Sequence, residues 1–177
     1  PPEDLVPQFD IIREATRAFG VVSIEKKGFE ADDIIATLSK EANDIGAKVT
    51  IFSSDKDLMQ LVSEKTLMYD PIKNTYINID KVKEKFGVSP NKVIDVQSLI
   101  GDTVDNVPGV PGIGIKTASQ LISIFNTVEN LIDNSDQIDR QRIRDLISSN
   151  IDNIQMSKAL VTLNKKVATN IDIAQLI

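Results

Sequence analysis

The sequence predicts an α/β fold: a partly parallel central sheet flanked by helices, followed by a helical region. Two observations lead to this class. In residues 1–79, segments with helical periodicity alternate with short runs rich in β-branched and aromatic residues. From Asp80 onward strand signals nearly vanish, and short helical segments follow one another. Because alternating helices and strands favour a partly parallel sheet, we predict an α/β core in residues 1–79 and a helical region in residues 80–177.

The elements of the first half follow from local periodicity. Residues 4–19 predict a helix with an apolar stripe, and residues 21–24 predict a short strand. Residues 30–45 predict a second amphipathic helix, whose inward side chains are Ile34, Ile35, Leu38, Ala42 and Ile45. The remaining segments predict strands at 48–52, 66–69 and 75–79, with a short helix at 58–62 and a turn at 70–74.

The second half begins with a well-marked helix. Ser89 suits the N-cap and Pro90 the first helical position, so a helix is predicted to run to Ile100 and to stop at Gly101. Further helices are predicted at 117–125, 128–132, 140–148 and 151–163. A length of 177 residues suits one domain, or one domain with a small appended module.

The composition excludes several classes of chemistry. The chain has no Cys and no His. It therefore has no disulfide, thiol nucleophile, Cys/His zinc site or Ser-His-Asp triad. A metal ion would need oxygen ligands, which favours Mg²⁺ or Mn²⁺. No signal peptide is visible, and no apolar run reaches the roughly 18 residues of a membrane span.

Three short motifs carry closely spaced acids. Their candidate metal ligands are Glu30, Asp32 and Asp33 in the first, Asp55 and Asp57 in the second, and Asp102 and Asp105 in the third. Asp55 follows the strongest strand, and α/β sheets bind ligands beyond the carboxyl ends of their strands. If the seven carboxylates converge there, they repel one another unless divalent cations neutralise them. Two such ions about 3.5–4 Å apart are the usual device for phosphodiester hydrolysis.

The net charge agrees with a localised acidic site. The chain carries 20 basic and 26 acidic residues, for a net charge of −6, which by itself argues weakly against binding phosphates. Without the seven acids the basic residues outnumber the acidic ones by one. Each motif alone has a plainer interpretation, because acids at a helix start favour the macrodipole. The other two pairs could be a solvated turn and a capped loop.

The most specific local pattern is a glycine-rich segment between two predicted helices, typical of a helix-hairpin-helix motif at about residues 99–124. Its glycines permit positive φ and a close approach of a phosphate. The helix start that follows offers free N–H groups and a positive dipole end. The candidate DNA-binding residues are Gly109, Gly112, Gly114, Lys116 and Thr117. Such contacts are independent of base sequence. The alternative is a plain interhelical turn.

These motifs together resemble the 5′ nuclease family, which includes flap endonucleases and the 5′ nuclease domain of bacterial DNA polymerase I. The matching segments are residues 28–33, 53–58, 85–90 and 101–118. The resemblance implies a PIN-like core and a 5′→3′ exonuclease and flap endonuclease that serves DNA replication and repair. It implies two divalent cations, with Glu30, Asp32, Asp33 and Asp55 nearer the scissile phosphate. Asp57, Asp102 and Asp105 then match the second site.

The resemblance also carries expectations about partners. The hairpin is expected to hold duplex DNA and a K⁺ ion, and the protein is expected to be a cytoplasmic, nucleoid-associated monomer. Proofreading and polymerase regions are expected to follow in the parent chain. The chain begins with Pro1 rather than Met, and the family's N-terminal strand and most of its arch do not precede it. This predicts a fragment with seven of nine acidic positions.

Two other functions remain open at this point. The chain could be a catalytically inactive module that only binds duplex DNA, with carboxylates that serve the fold. It could also be a ribonuclease of related PIN-like architecture, which would not need the hairpin. Arg140, Arg142 and Arg144 could extend a basic face or form a solvated helix face.

Overall fold

The computed structural model describes residues 2–175, and these form a small mixed sheet with helices packed around it. The sheet contains β1 (Val49–Phe52), β2 (Thr66–Asp70) and β3 (Thr75–Ile77), in that spatial order. β1 runs parallel to β2, with Val49 beside Thr66, and β2 runs antiparallel to β3. The predicted α/β class with a partly parallel sheet is confirmed.

Helices precede and follow the first strand. α1 spans Gln8–Ala18, and α2 spans Ala31–Asp44 and packs against β1. A 3-10 helix, Asp57–Leu61, follows β1 directly and buries Leu58 through Leu61. This short element turns the chain back toward β2, so it fixes the position of the acidic turn that precedes it.

The second half is helical throughout its described part. Its α-helices are α3 (Ile79–Phe86), α4 (Val93–Ile100), α5 (Ile115–Phe125), α6 (Val128–Asp133), α7 (Gln141–Ser148) and α8 (Ile151–Val161). Short 3-10 turns occupy Pro90–Lys92, Ser135–Gln137 and Ile173–Gln175. The predicted helices are confirmed. Four of them have ends that differ by up to two residues, and the helix predicted from Pro90 begins with a 3-10 turn, so that α4 itself starts at Val93. Within residues 2–175, no helix is both long and apolar enough to cross a membrane.

One continuous hydrophobic core joins the two halves. Met68 of β2 and Leu58 belong to the same buried cluster as Leu99 of α4, Leu131 of α6 and Ile154 of α8. α4 lies at the centre, packed against both α5 and α8. Elements from both halves therefore pack into one shared core.

One prediction for the first 30 residues is wrong. Residues 21–24 form no strand, and Val21 and Val22 are exposed. A β-branched run becomes a strand only where a neighbouring strand accepts its hydrogen bonds, and the described residues supply none. The predicted first helix is confirmed as α1, and none of its residues is buried. An apolar stripe predicts which face of a helix is apolar, but it does not predict what packs against that face.

β3 ends two residues earlier than predicted, and α3, which was not predicted, follows it. The alternation from Thr75 to Ile79 predicts a strand, yet the chain turns into a helix at Ile79. Asn78 caps this helix, since its side-chain oxygen accepts a hydrogen bond from the Lys81 amide at 3.0 Å. Gly87 ends it in the left-handed conformation, with φ of 73°. The predicted inward residue Ile45 of the second helix is exposed, because α2 ends one residue earlier.

A segment after α8, residues 162–167, returns to the first half and is called the strap. The Thr37 hydroxyl of α2 donates to the Asn164 carbonyl at 3.2 Å and accepts from the Val167 amide at 3.1 Å. The Gln60 side chain donates to the Val161 carbonyl at 2.9 Å and accepts from the Leu163 amide at 3.4 Å. These bonds fasten the end of α8 to α2 and to the 3-10 helix after β1.

Candidate functional site: an acidic edge and a glycine hairpin

Carboxylates from separate segments face one another at the end of β1. We call Glu30, Asp32, Asp33, Asp55, Asp57 and Asp102 the acidic edge. The segment after β1 is held by local bonds: the Asp55 amide donates to Ser53 Oγ at 3.0 Å, and the Asp57 amide donates to Asp55 Oδ1 at 2.9 Å. Asp55 and Asp57 thus lie beyond the carboxyl end of β1, near enough to the first motif for their charges to act on Asp32.

The electrostatics of the acidic edge are those of crowded like charges. Burial, together with the negative charges of Asp55 and Asp57, raises the pKa of Asp32 to about 6 from an ordinary value of 3.8. Glu30 and Asp33 contribute to the same rise. Burial also raises the pKa of Asp57. A cation placed among these carboxylates would relieve their repulsion.

Lys56 already neutralises one member of the acidic edge. Its ammonium group forms an ion pair with Asp102, whose side chain is buried. The hydrogen bond from Lys56 lowers the pKa of Asp102, and the same contact raises the pKa of Lys56. The third acidic motif is thus tied to the second by a salt bridge.

One predicted ligand has a role in the fold. Asp33 Oδ1 accepts the amide of Asn164 at 2.8 Å, so it anchors the strap. Asp105 lies on an exposed loop, and its charge reaches Lys56, whose pKa it helps to raise. Among residues 2–175, no three acidic side chains stand close enough to share one ion as they are placed.

A buried amide lies against the acidic edge from the side of α4. Gln97 is 2% exposed, and its Nε2 donates to Asp57 Oδ1. Its Oε1 is buried without a hydrogen-bond partner in the described structure. Gln97 therefore contacts the predicted metal ligand Asp57, while its own Oε1 has no hydrogen-bond partner.

The predicted helix-hairpin-helix is formed by α4, the glycine segment and α5. An antiparallel bridge joins Asp102 and Val107 at the base of the hairpin. Gly101 and Gly109 pack backbone against backbone: a Cβ on Gly109 would lie 2.4 Å from the Gly101 nitrogen. The Gly109 amide donates to Ser157 Oγ of α8 at 2.9 Å. Gly109 is therefore required for packing, and its amide already has a hydrogen-bond partner within the protein.

The outer part of the hairpin remains open. Gly112 has φ of +92°, whereas Gly114 is extended, with φ of −94°, and caps α5. The backbone of the described residues accepts no hydrogen bond from the amides of Gly112, Gly114, Ile115 and Lys116. Lys116 is exposed and Thr117 half-buried in the first turn of α5. Free amides and a positive charge thus share one surface. Arg144, one of the three arginines considered for a basic face, donates a hydrogen bond to the Ile138 carbonyl at 2.8 Å.

Sequence reasoning missed Lys56, Gln97 and Asn164 as parts of the site. Lys56 stands between two predicted ligands, and that position was an available signal. Gln97 occupies a buried position on α4 that apolar periodicity alone would fill with a hydrophobic residue. Asn164 acts through its backbone amide, which carries no residue-specific signal.

Comparison with known proteins identifies the family. Residues 1–87 match the family described as 5'-3' exonuclease, N-terminal resolvase-like domain, and residues 88–177 match 5'-3' exonuclease, C-terminal SAM fold. The chain belongs to the 5'-3' exonuclease family. A polymerase of this group, DNA polymerase I from Rhizobium leguminosarum, is 51% identical over 177 residues, which cover 100% of this chain and 17% of that protein.

Two further relatives extend the comparison. The 5'-3' exonuclease of Aquifex aeolicus is 38% identical over 97% of this chain and 57% of its own length. A flap endonuclease of bacteriophage T5, solved as a pseudo-enzyme-product complex with DNA and metal ions, has a TM-score of 0.78 at 23% identity. That match covers 88% of this chain and 58% of the T5 chain. The chain thus spans less than two thirds of each relative, and the T5 likeness shows a shared fold.

Proposed function

We propose that the chain provides the acidic edge and DNA-binding hairpin of a structure-specific 5′→3′ exonuclease and flap endonuclease. One observation carries the proposal: acids from separate segments crowd at the end of β1, where burial and their charges together raise the pKa of Asp32 to about 6. Crowded, partly buried carboxylates are the environment that a divalent cation neutralises. Family membership and the free amides of the hairpin support DNA as the substrate.

The donor set fits hard divalent cations. All side-chain ligands at the acidic edge are carboxylate oxygens, which Mg²⁺ and Mn²⁺ prefer. Glu30, Asp32, Asp33 and Asp55 would hold the cation nearer the scissile phosphate, and Asp57, Asp102 and Asp105 the second. Bound cations would supply an activated water and stabilise the attacking and leaving oxygens.

The residues of this chain then have distinct tasks. Lys56 holds Asp102 at the acidic edge, and Asp33 ties α2 to the strap while keeping its second oxygen free. These fixed contacts orient carboxylates before substrate arrives, which is how a site gains precision from its supporting contacts.

The hairpin would hold the duplex by its backbone. Amides at Gly112, Gly114, Ile115 and Lys116 form an anion-binding surface at the start of α5, and Lys116 adds charge. Because phosphates carry no base identity, binding is independent of sequence. A K⁺ ion at the hairpin, a monomeric state and following polymerase and proofreading regions belong to the same proposal. The T5 relative solved with DNA and metal ions supports it by analogy of fold.

Cleavage of a labelled 5′-flap DNA by the intact protein, with and without Mg²⁺, tests the proposal. We expect Asp55→Asn to abolish cleavage and to leave duplex affinity in Ca²⁺ near the wild-type value. The matched control is Asp152→Asn, an exposed acid in the first turn of α8, which should cleave normally. Normal cleavage by Asp55→Asn would remove the acidic edge from catalysis.

The same assay separates the competing functions. Duplex binding without cleavage in Mg²⁺ or Mn²⁺ would mean that the protein is a DNA-binding module, and the Lys56–Asp102 ion pair would then be purely structural. Preference for a single-stranded RNA over flap DNA would favour the PIN-like ribonuclease.

A further inference from the structure

α4 buries three polar side chains, and only one of them faces the acidic edge. Asp95 accepts the Val128 amide and pairs with Lys158, and Ser98 donates to the Ile94 carbonyl. Both are therefore partnered inside the helical region. Gln97 instead donates to Asp57 Oδ1 and leaves its Oε1 without a donor.

An unpartnered buried oxygen is costly, so its retention calls for an explanation. Leaving such a group without a partner destabilises the folded protein, and a leucine or methionine of similar size would avoid that cost. Turning the amide over does not help, because Oε1 would then contact the Asp57 carboxylate, acceptor against acceptor. The N–H group therefore faces Asp57, and the contact with this carboxylate holds the amide in an orientation that leaves Oε1 unpartnered.

We propose that Gln97 is a positioning residue for the cation held by Asp57 and Asp102. Its N–H group holds Asp57 Oδ1, so the other carboxylate oxygen is directed to the cation. This inference rests on the proposed function of the acidic edge and adds a residue to it. Supporting contacts of this kind contribute 10–100-fold to metal affinity.

The chain provides a matched control in Gln60. This glutamine is also buried, at 6% exposure, but both ends of its amide are bonded to the Val161 carbonyl and the Leu163 amide. Gln60→Met removes a buried amide of the same size from the strap contact. Gln97→Met removes one from the acidic edge.

Mn²⁺ titration of the intact protein without DNA, followed by the electron paramagnetic resonance signal of free Mn²⁺, tests the role of Gln97. We expect Gln97→Met to bind Mn²⁺ at least about 10-fold more weakly and Gln60→Met to bind it as the wild type does. In flap cleavage, Gln97→Met should need about 10-fold more Mg²⁺ for half-maximal rate yet approach the wild-type kcat at saturating Mg²⁺. Metal-free melting shows that each variant is folded.

The outcomes distinguish this inference from the function on which it rests. If Asp55→Asn weakens Mn²⁺ binding and folded Gln97→Met does not, Gln97 is only a core residue and the acidic edge keeps its function. Equal losses in Gln97→Met and Gln60→Met would also overturn the inference, because the effect would then be global. If none of the three changes affects Mn²⁺ binding, both the inference and the metal site are wrong.

Discussion

Asp32→Asn should stabilise the metal-free protein at pH 8 and lose that advantage in acid. The substitution keeps the shape of the side chain and removes a charge from a repulsive group of carboxylates. In the native state the pKa of Asp32 is about 6, against an ordinary value of 3.8. Ionised Asp32 is therefore unfavourable in the folded protein.

The magnitude follows from that difference in pKa. Since one pKa unit corresponds to about 1.4 kcal/mol, the penalty would be about 3 kcal/mol for a fully buried group. Asp32 is only half-buried, and solvent screening reduces this to about 1–2 kcal/mol. The helix dipole favours a charge in the first turn of α2 by about 0.5 kcal/mol. The net gain expected for Asp32→Asn is about 1 kcal/mol.

The sign of the pH dependence is fixed by the same values. Above pH 6 Asp32 is ionised in the folded and unfolded states, and the folded state bears the full penalty. As pH falls from about 6 to about 4, the folded state takes up the proton first, so the wild type gains stability. The advantage of Asp32→Asn should therefore shrink toward zero across this window.

Urea unfolding at pH 8, 6 and 4 in the presence of a chelator measures the effect. Asp80→Asn is the matched control, because Asp80 also lies in the first turn of a helix but is exposed. It should lose only the dipole contribution and become slightly less stable. A destabilising Asp32→Asn, or a gain that does not change between pH 8 and pH 4, would refute the assignment of charge repulsion to Asp32.

Three further changes probe the hairpin and its support. Gly109→Ala should lower the free energy of unfolding by at least about 2 kcal/mol in urea titrations, because its Cβ would lie 2.4 Å from the Gly101 nitrogen. A smaller loss would contradict the packing role of Gly109. Gly114→Ala should keep stability within about 1 kcal/mol, since its φ is −94° and its Cβ meets open space, while duplex affinity in Ca²⁺ falls; unchanged affinity would leave the hairpin a structural turn. Lys158→Met should cost about 2–3 kcal/mol by leaving Asp95 buried without its cation, and a second change, Asp95→Asn, should recover part of that loss.

Elements with strong local signals could be predicted from the sequence. α2 and β1 were found because helical periodicity and a β-branched run dominate their segments, and the hairpin because glycines mark its turns. α3 was missed because the alternation around Ile77 resembles a strand, although Asn78 and Gly87 supply a cap and a stop. The exposure of α1 was not predictable, because amphipathicity does not specify a partner.

The site was predictable as a set of carboxylates and not as a set of contacts. Asp32, Asp55 and Asp57 were identified from their spacing and from the strand that precedes two of them. The Lys56–Asp102 and Gln97–Asp57 contacts join residues 46 and 40 positions apart, and no local pattern encodes such pairs. For the same reason the hydrogen bond from the Gly109 amide to Ser157 of α8 is not predictable from the sequence.

The strap gives the acidic edge a spectroscopic reporter. The Asn164 amide hydrogen is bonded to Asp33 Oδ1, and the Val167 amide hydrogen is bonded to the neighbouring Thr37 hydroxyl. Exchange of these two hydrogens with solvent requires local opening of the strap. A ligand that draws Asp33 toward itself competes with Asn164 and should speed exchange there while leaving Val167 slower. The ratio of the two exchange rates thus shows whether the Asp33 carboxylate is bonded to the Asn164 amide or to the ligand.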